Sequence, residues 1–365
     1  MRIVSYEEIG QAAWDDFCAH SDDAWFLHTS DWLEYSLAYS LGSEVCGFAV
    51  VQNGAIQAIC PLILEKVILY ERQFFQLSYG GAPCPMPCFR NDLGVNNRAK
   101  ILNTIMEHID ALAFEKKMAR CLIRFNVLSS NYLGNYNIPF NFLIKYGFLD
   151  ACMYSQLLPL ASSEADILRS MRKGHRHSIK RARNEIEVEI FDWQNITADV
   201  FGEYQDLHAK AAGRKTRSQS TFDMMYNWIK DRKSLLCGAR SNGKYVGFAM
   251  AFVYKEGSLY ASACNDPDYT GNAVGQVIQW RLISYLKSKG IKSYELGIQY
   301  WGNQINEVPD SKALSIANFK RGFGGITVPV FWGEKYYDSN LFELVYSNRI
   351  RAYKQNQFTN EGSTT

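Results

Sequence analysis

Two Asn-Gly dipeptides, Asn53-Gly54 and Asn242-Gly243, each lie between two apolar runs: CGFAVV and AIQAICPLIL around the first, SLLCGAR and YVGFAMAFVY around the second. A two-residue type I′ turn needs positive φ at both central positions, and Asn-Gly supplies it at least cost, so each dipeptide predicts a β-hairpin. The surrounding order of segments also recurs. Ahead of the first hairpin come periodic stretches at 6–18 and, capped by Ser30, DWLEYSLAY. After it come a strand at 73–79, a helix at 97–115 with Ile101, Leu102, Ile105, Met106, Ile109 and Leu112 on one face, and a strand at 120–126. Helices opening near Ser163 and at 199–212 and 221–230 precede the second hairpin. The strand SLYASAC, a helix at 273–288 stopped by Gly290, and the strand KSYELG follow it.

One element order met twice predicts a duplicated fold, and 365 residues suffice for two cores. The expected class is α/β, of the α+β kind: two similar domains in tandem, each a mixed, mostly antiparallel central sheet flanked by helices. Expected bounds are 1–155 and 156–335, with LPLASSEAD supplying Pro and Ser between the periodic segments. A helix at 338–355 is expected to dock back on the first domain, and 356–365 to fray.

A formal charge of +2 will not concentrate the chain on a polyanion, so any basic site must be local. The nine cysteines stand singly, mostly inside apolar runs, and read as buried thiols. Cys84 and Cys88 form the one close pair, without a second Cys or His pair at zinc spacing, so no metal site is expected. The N-terminus MRIVSYEEIGQAAWDDF carries acids where a signal peptide needs a basic and then an apolar region. No apolar run approaches the roughly 18 residues of a membrane span. A cytoplasmic enzyme is the expectation.

Local charge is concentrated in RSMRKGHRHSIKRAR, residues 169–183, with seven Lys or Arg, two His and no acid. On one helix, Arg169, Arg172, Arg176, Lys180 and Arg183 would stack along one face at mutual cost, which a bound anion would relieve. Arg172, Arg176, Lys180 and Arg183 are therefore candidate phosphate ligands. The ligand could be a sugar-nucleotide pyrophosphate, coenzyme A or a tRNA backbone; the alternative is a solvated surface helix. A second cationic feature, SIANFKRGFGG at 315–325, runs a helical stretch into three glycines beside Lys320 and Arg321. Exposed backbone amides next to a cation would outline an anion or oxyanion site, and a plain helix-to-strand turn is the alternative.

FKRGFGG, with YELG about two dozen residues earlier, resembles the Fem-type aminoacyl transferases and their acyltransferase relatives. So does the basic segment LRSMRKGHRHSIKRARN with the EVEIF that follows. The resemblance covers roughly 160–331 and reaches the first half through element order. It implies a FemAB-like pair of GNAT domains, amide formation without a metal, and an acceptor held at or near the domain junction. Lys320 matches a lysine that assists transfer electrostatically, and Phe319 a phenylalanine beside the donor. The long antiparallel helical arm of some family members is missing.

The expected function is N-acyl or N-aminoacyl transfer to an amine of a phosphorylated cell-envelope precursor, a peptidoglycan stem peptide or an amino sugar of a surface polysaccharide. The donor would be aminoacyl-tRNA or acyl-coenzyme A, with no tightly bound cofactor. For coenzyme A, the stretch DPDYTGNAVGQVIQ keeps Gly271 and Gly275 of a phosphate-cradling turn but lacks its leading Arg or Gln. Lys320 would stabilise negative charge, and Glu295 in YELG would accept the amine proton. Arg321, Tyr300, Trp301 and Tyr269, with Tyr260, would line donor or acceptor. His28 and His208 read as packing or capping residues. The competing reading is a non-catalytic RNA-binding protein that uses the 169–183 face.

Overall fold

The structure, a computed structural model, describes residues 1–131, 140–182, 185–271 and 273–358. The chain opens with β1 (Arg2–Ser5), α1 (Tyr6–Ile9), α2 (Gln11–His20), α3 (Ser30–Tyr39), β2 (Glu44–Val45), β3 (Phe48–Gln52) and β4 (Ala55–Cys60). Next come β5 (Ile63–Leu69), β6 (Arg72–Leu77), β7 (Cys84–Pro85), β8 (Cys88–Phe89), α4 (Val95–Glu115), β9 (Arg120–Arg124) and β10 (Leu149–Asp150). There follow β11 (Met153–Pro159), α5 (Glu164–Ser170), α6 (Lys173–Ala182), β12 (Glu187–Phe191), α7 (Ala198–Ala212), α8 (Gln219–Lys230), β13 (Ser234–Ser241) and β14 (Lys244–Tyr254). The chain continues with β15 (Gly257–Asn265), α9 (Val274–Ser288), β16 (Ser293–Gln299), α10 (Ser311–Arg321), β17 (Ile326–Val330), β18 (Trp332–Tyr336) and α11 (Ser339–Phe358).

Both Asn-Gly turns form as expected. Asn53 and Gly54 have φ of 53° and 76°, Asn242 and Gly243 51° and 77°, closing β3 on β4 and β13 on β14. Each hairpin carries a register shift close to its turn, at Val50/Val51 and at Ala239/Arg240, and each is joined on its outer edge by an antiparallel strand, β1 or β12. The duplication is thus written in topology.

Three local expectations change. The stretch 6–18 is two helices, because Gly10 takes φ 76° and ψ 152° between them. AIQAICPLIL is two strands: Pro61 cannot donate to a ladder, and the chain passes from β4, in a sheet ordered β1-β3-β4-β8, to β5, in one ordered β10-β18-β9-β6-β5-β2. The single basic helix over 169–183 is α5 and α6, separated where Met171 turns extended at ψ 153°.

Residues 1–154, 299–317 and 329–365 make one compact unit, and 155–298 and 318–328 the other. The chain beyond 329 joins the first because β18 pairs with β9, from Trp332↔Arg124 to Tyr336↔Arg120, and Leu341 and Val345 of α11 pack with Ala119. The first core gathers Trp14, Phe48, Ile59, Ile105 and Ile123. The second unit holds one seven-stranded sheet, β12-β13-β14-β15-β16-β11-β17. Its core joins Leu282, Ile283 and Leu286 of α9 to Cys237 and Ala249 of the sheet and to Phe323.

Candidate active site

In the second unit β15 and β16 are joined through α9 and pair in parallel over three positions, Gly257↔Ser293, Ser258↔Tyr294 and Leu259↔Glu295. Beyond these the ladder stops: β15 continues to Asn265 paired with β14, and β16 runs on to Gln299. Just past the last parallel pair, Ala251 faces Tyr260 and Met250 faces Ser262, so Ala261 is the extra residue of a bulge. The two strands form a fork.

Glu295 stands at the closed end of that fork. It is 3% exposed; Oε1 accepts a 2.7 Å bond from Ser155 Oγ, and Oε2 is buried with no partner. Gly297, two residues on, has φ +93°, and a Cβ built there would lie 3.0 Å from Lys320 Nζ. Glycine therefore serves twice, for its backbone angle and for the space above it. Burial pulls the Lys320 ammonium below its ordinary value, and the charge of Glu295 opposes that shift. A desolvated ammonium beside an incompletely bonded carboxylate is an arrangement that acid-base or electrostatic chemistry uses and that stability alone does not favour.

Lys320 is carried by the last turn of α10, where the backbone differs from expectation. The amides of Gly322, Phe323 and Gly324 donate to the carbonyls of Phe319, Lys320 and Arg321 at 3.0, 3.2 and 3.1 Å. They terminate the helix and are not open to an anion. The glycines answer to packing. A Cβ at Gly322 would strike the His175 ring, one at Gly324 would meet Ser170 Oγ, and one at Gly325 would collide with the Leu157 carbonyl; Gly324 and Gly325 have φ +81° and +79°.

Residues 169–309 match the sequence profile of the acetyltransferase (GNAT) domain. FemX superposes on 95% of the chain and 100% of its own, with a TM-score of 0.65 at 14% identity. The fold is that of the FemAB-like tandem GNAT proteins. L-PGS from Bacillus licheniformis covers 88% of this chain and 96% of its own (TM-score 0.55, 12% identity). The tandem GNAT protein of the clavulanic acid biosynthesis pathway, determined without AcCoA, covers 92% and 98% (0.50, 10%). No curated protein sequence matches the chain.

Phe319 makes an edge contact with Phe323 at 5.1 Å, and its ring tip would lie 3.0 Å from a Cβ at Gly275. Gly275, offered as part of a phosphate turn, is thus small because Phe319 lies against the start of α9. Burial first, and Arg172 second, hold the Arg321 guanidinium below its ordinary value, so the two cations are neighbours. Arg172 donates to Asn318 O and Oδ1 at 3.1 and 2.8 Å. Arg176 donates to the Arg169 and Met171 carbonyls at the end of α5. Lys180 is exposed on α6, and Arg183 lies outside the described residues. Tyr269 reaches Ser241 Oγ at 3.5 Å and packs over Gly271.

Tyr300 and Trp301 belong with the first unit, where Trp301 is 54% exposed and meets the Tyr154 ring edge-on. His28 Nε2 bonds the Met86 carbonyl, and His208 bonds Thr216 and Arg217, both packing roles. Cys84 and Cys88 are buried thiols on β7 and β8. Sequence reasoning missed Ser155, Gly297 and His175. Only Gly297 left a signal, as a glycine inside an apolar strand.

The first unit has the corresponding parallel pair, β6 with β9, at Gln76↔Arg120 and Leu77↔Cys121. There β7 takes up the next positions of β9, Cys84↔Ile123 and Pro85↔Arg124. Cys84 and Met86 are buried at this place, and the Met86 amide donates to the Arg124 carbonyl at 2.8 Å. The first fork is closed by its own chain.

Among the described residues no helix is long and apolar enough to cross a membrane.

Proposed function

We propose that the second unit transfers an acyl or aminoacyl group from an activated donor to the amine of a cell-envelope precursor, with Glu295 and Lys320 at the reacting centre. The observation that carries this is the pair at the closed end of the β15–β16 fork: a buried carboxylate with one unbonded oxygen, and a half-buried, partly desolvated ammonium over Gly297. The acetyltransferase profile and the FemX-like fold support the reaction class.

The amine nitrogen attacks the donor carbonyl carbon, a C–N bond forms, and the C–S or C–O bond to the leaving group breaks. The amine proton passes to Glu295 Oε2 and from there to the leaving sulfur or oxygen, which departs as a thiol or hydroxyl and returns Glu295 to the carboxylate. Lys320 faces the carbonyl oxygen and stabilises its negative charge, an effect strongest where water is excluded. Phe319 and Arg321 bound the donor, and Arg172, Arg176, Lys180 and Arg183 receive its phosphates. Tyr269, in the same unit, serves a donor or acceptor contact.

The donor is acyl-coenzyme A or aminoacyl-tRNA, and one experiment separates them. The protein is incubated with an amino-sugar or stem-peptide acceptor and either acetyl-coenzyme A or a mixture of charged tRNAs, and products are weighed by mass spectrometry. An amide product from one donor, lost in Lys320→Ala, supports the reading. Undiminished product from Lys320→Ala removes Lys320 from the chemistry. RNA retention with neither donor giving product would favour the RNA-binding alternative.

A further inference from the structure

Helix α10 ends in a turn whose carbonyls are held from outside as well as from within. Asn318 O accepts from the Arg172 guanidinium at 3.1 Å, Phe319 O from His175 Nε2 at 3.0 Å, and Gly322 O from the Arg172 backbone amide at 2.8 Å. All three donors come from the short stretch that opens α6. A carbonyl can only accept, so the His175 proton on Nε2 is fixed by its partner. The ring is 7% exposed, lies 4.6 Å from Phe323 and 5.4 Å from Phe319, and covers Gly322. These residues flank Lys320 on both sides.

We propose that His175, with Arg172, is a positioning residue of the transfer site: it clamps the last turn of α10 and so sets Lys320 Nζ over Gly297. The inference rests on Lys320 being the reacting cation. Its physical basis is the helix end, where unbonded carbonyls fray unless donors reach them, and side chains on a frayed turn lose their position. The basic run 169–183 gains a role that needs no ligand, because its first cations meet the negative end of a helix. The charge that acts on Lys320 comes from Glu295 on β16, while Arg172 acts on its own neighbours Arg321 and His175.

The test compares His175→Phe, which keeps ring volume but has no donor, with His175→Gln, whose side-chain amide reaches a similar distance and still donates. Two readouts are taken: kcat and KM, and the apparent pKa of Lys320 from the pH dependence of its labelling by an amine-reactive reagent, followed by peptide mass spectrometry. For His175→Phe, the labelling pKa rises toward 10.5 as water enters, and kcat falls about ten-fold or more with KM little changed. His175→Gln restores both. An unchanged labelling pKa in folded His175→Phe overturns the proposal, as does failure of Gln to rescue. If His175→Phe does not fold, Arg172→Met, at an exposed position, removes the second donor and must raise the labelling pKa in the same sense. Labelling does not depend on turnover. An active Lys320→Ala therefore defeats the functional reading alone, and an unmoved labelling pKa defeats the clamp alone.

Discussion

Lys320 and Glu295 attract one another, and burial outweighs that attraction: the ammonium lies below its ordinary 10.5 although the carboxylate pulls it upward. A protein gains no stability from such a pair. If Lys320 supplies charge to the transition state, Lys320→Ala and Lys320→Met lower kcat by about a hundred-fold or more in steady-state assays with whichever of the two donors yields product. The double variant Lys320→Met, Glu295→Gln removes the buried carboxylate and the half-buried ammonium together and melts at or above the parent temperature. A lower melting temperature would mean that the pair is structural.

Gly297 lets Lys320 come close. Gly297→Ala places a methyl 3.0 Å from the ammonium's position at a φ of +93°. The flexible lysine moves away, the backbone bears about 1–3 kcal/mol of strain, and kcat falls by about ten-fold or more while donor affinity, read by calorimetry, changes little.

Stability depends on pH in a defined direction. Burial lowers the pKa of His108, His175 and His208 from 6.5, helped at His175 and His208 by Arg172 and Arg217. Such a base binds fewer protons folded than unfolded, so its contribution is complete above about 6.5 and is lost as pH falls through the folded value. Glu307, whose carboxyl is raised by burial, works in the opposite sense but is one group against three. Thermal melts between about pH 7.5 and 5.5 should show Tm declining with acidity, and His208→Gln should flatten the slope.

Gly325 packs against backbone. Gly325→Ala sets a Cβ against the Leu157 carbonyl at φ +79°, and neither the strand β11 nor the turn can give way cheaply. The expected loss is about 2 kcal/mol or more in urea denaturation. At Gly174, where a Cβ meets nothing within 4 Å, alanine should be neutral or stabilise α6 by up to about 1 kcal/mol.

Among the described residues, a third strand fills the first fork and none fills the second. Because β7 occupies the β9 positions that would form the mouth of the first, donor binding should saturate at one equivalent per chain, measured by native mass spectrometry. Two equivalents would contradict the closure of the first fork.

The sequence by itself determined what is local. Asn53-Gly54 and Asn242-Gly243 impose positive φ within four residues of chain, the apolar face of α4 repeats at helical spacing, and Ser163, Thr197 and Ser218 cap the helices they precede. These gave the repeated element order, and the FKRGFGG resemblance pointed to Lys320 and Phe319. Tertiary structure decided the rest. Ser155 finds Glu295 140 residues away, and β18 chooses β9 over its chain neighbours. The basic run breaks at Met171 so that Arg172 and His175 can close the end of α10. No local preference encodes these choices, because each is set by which surfaces and unpaired backbone groups the rest of the fold brings within reach.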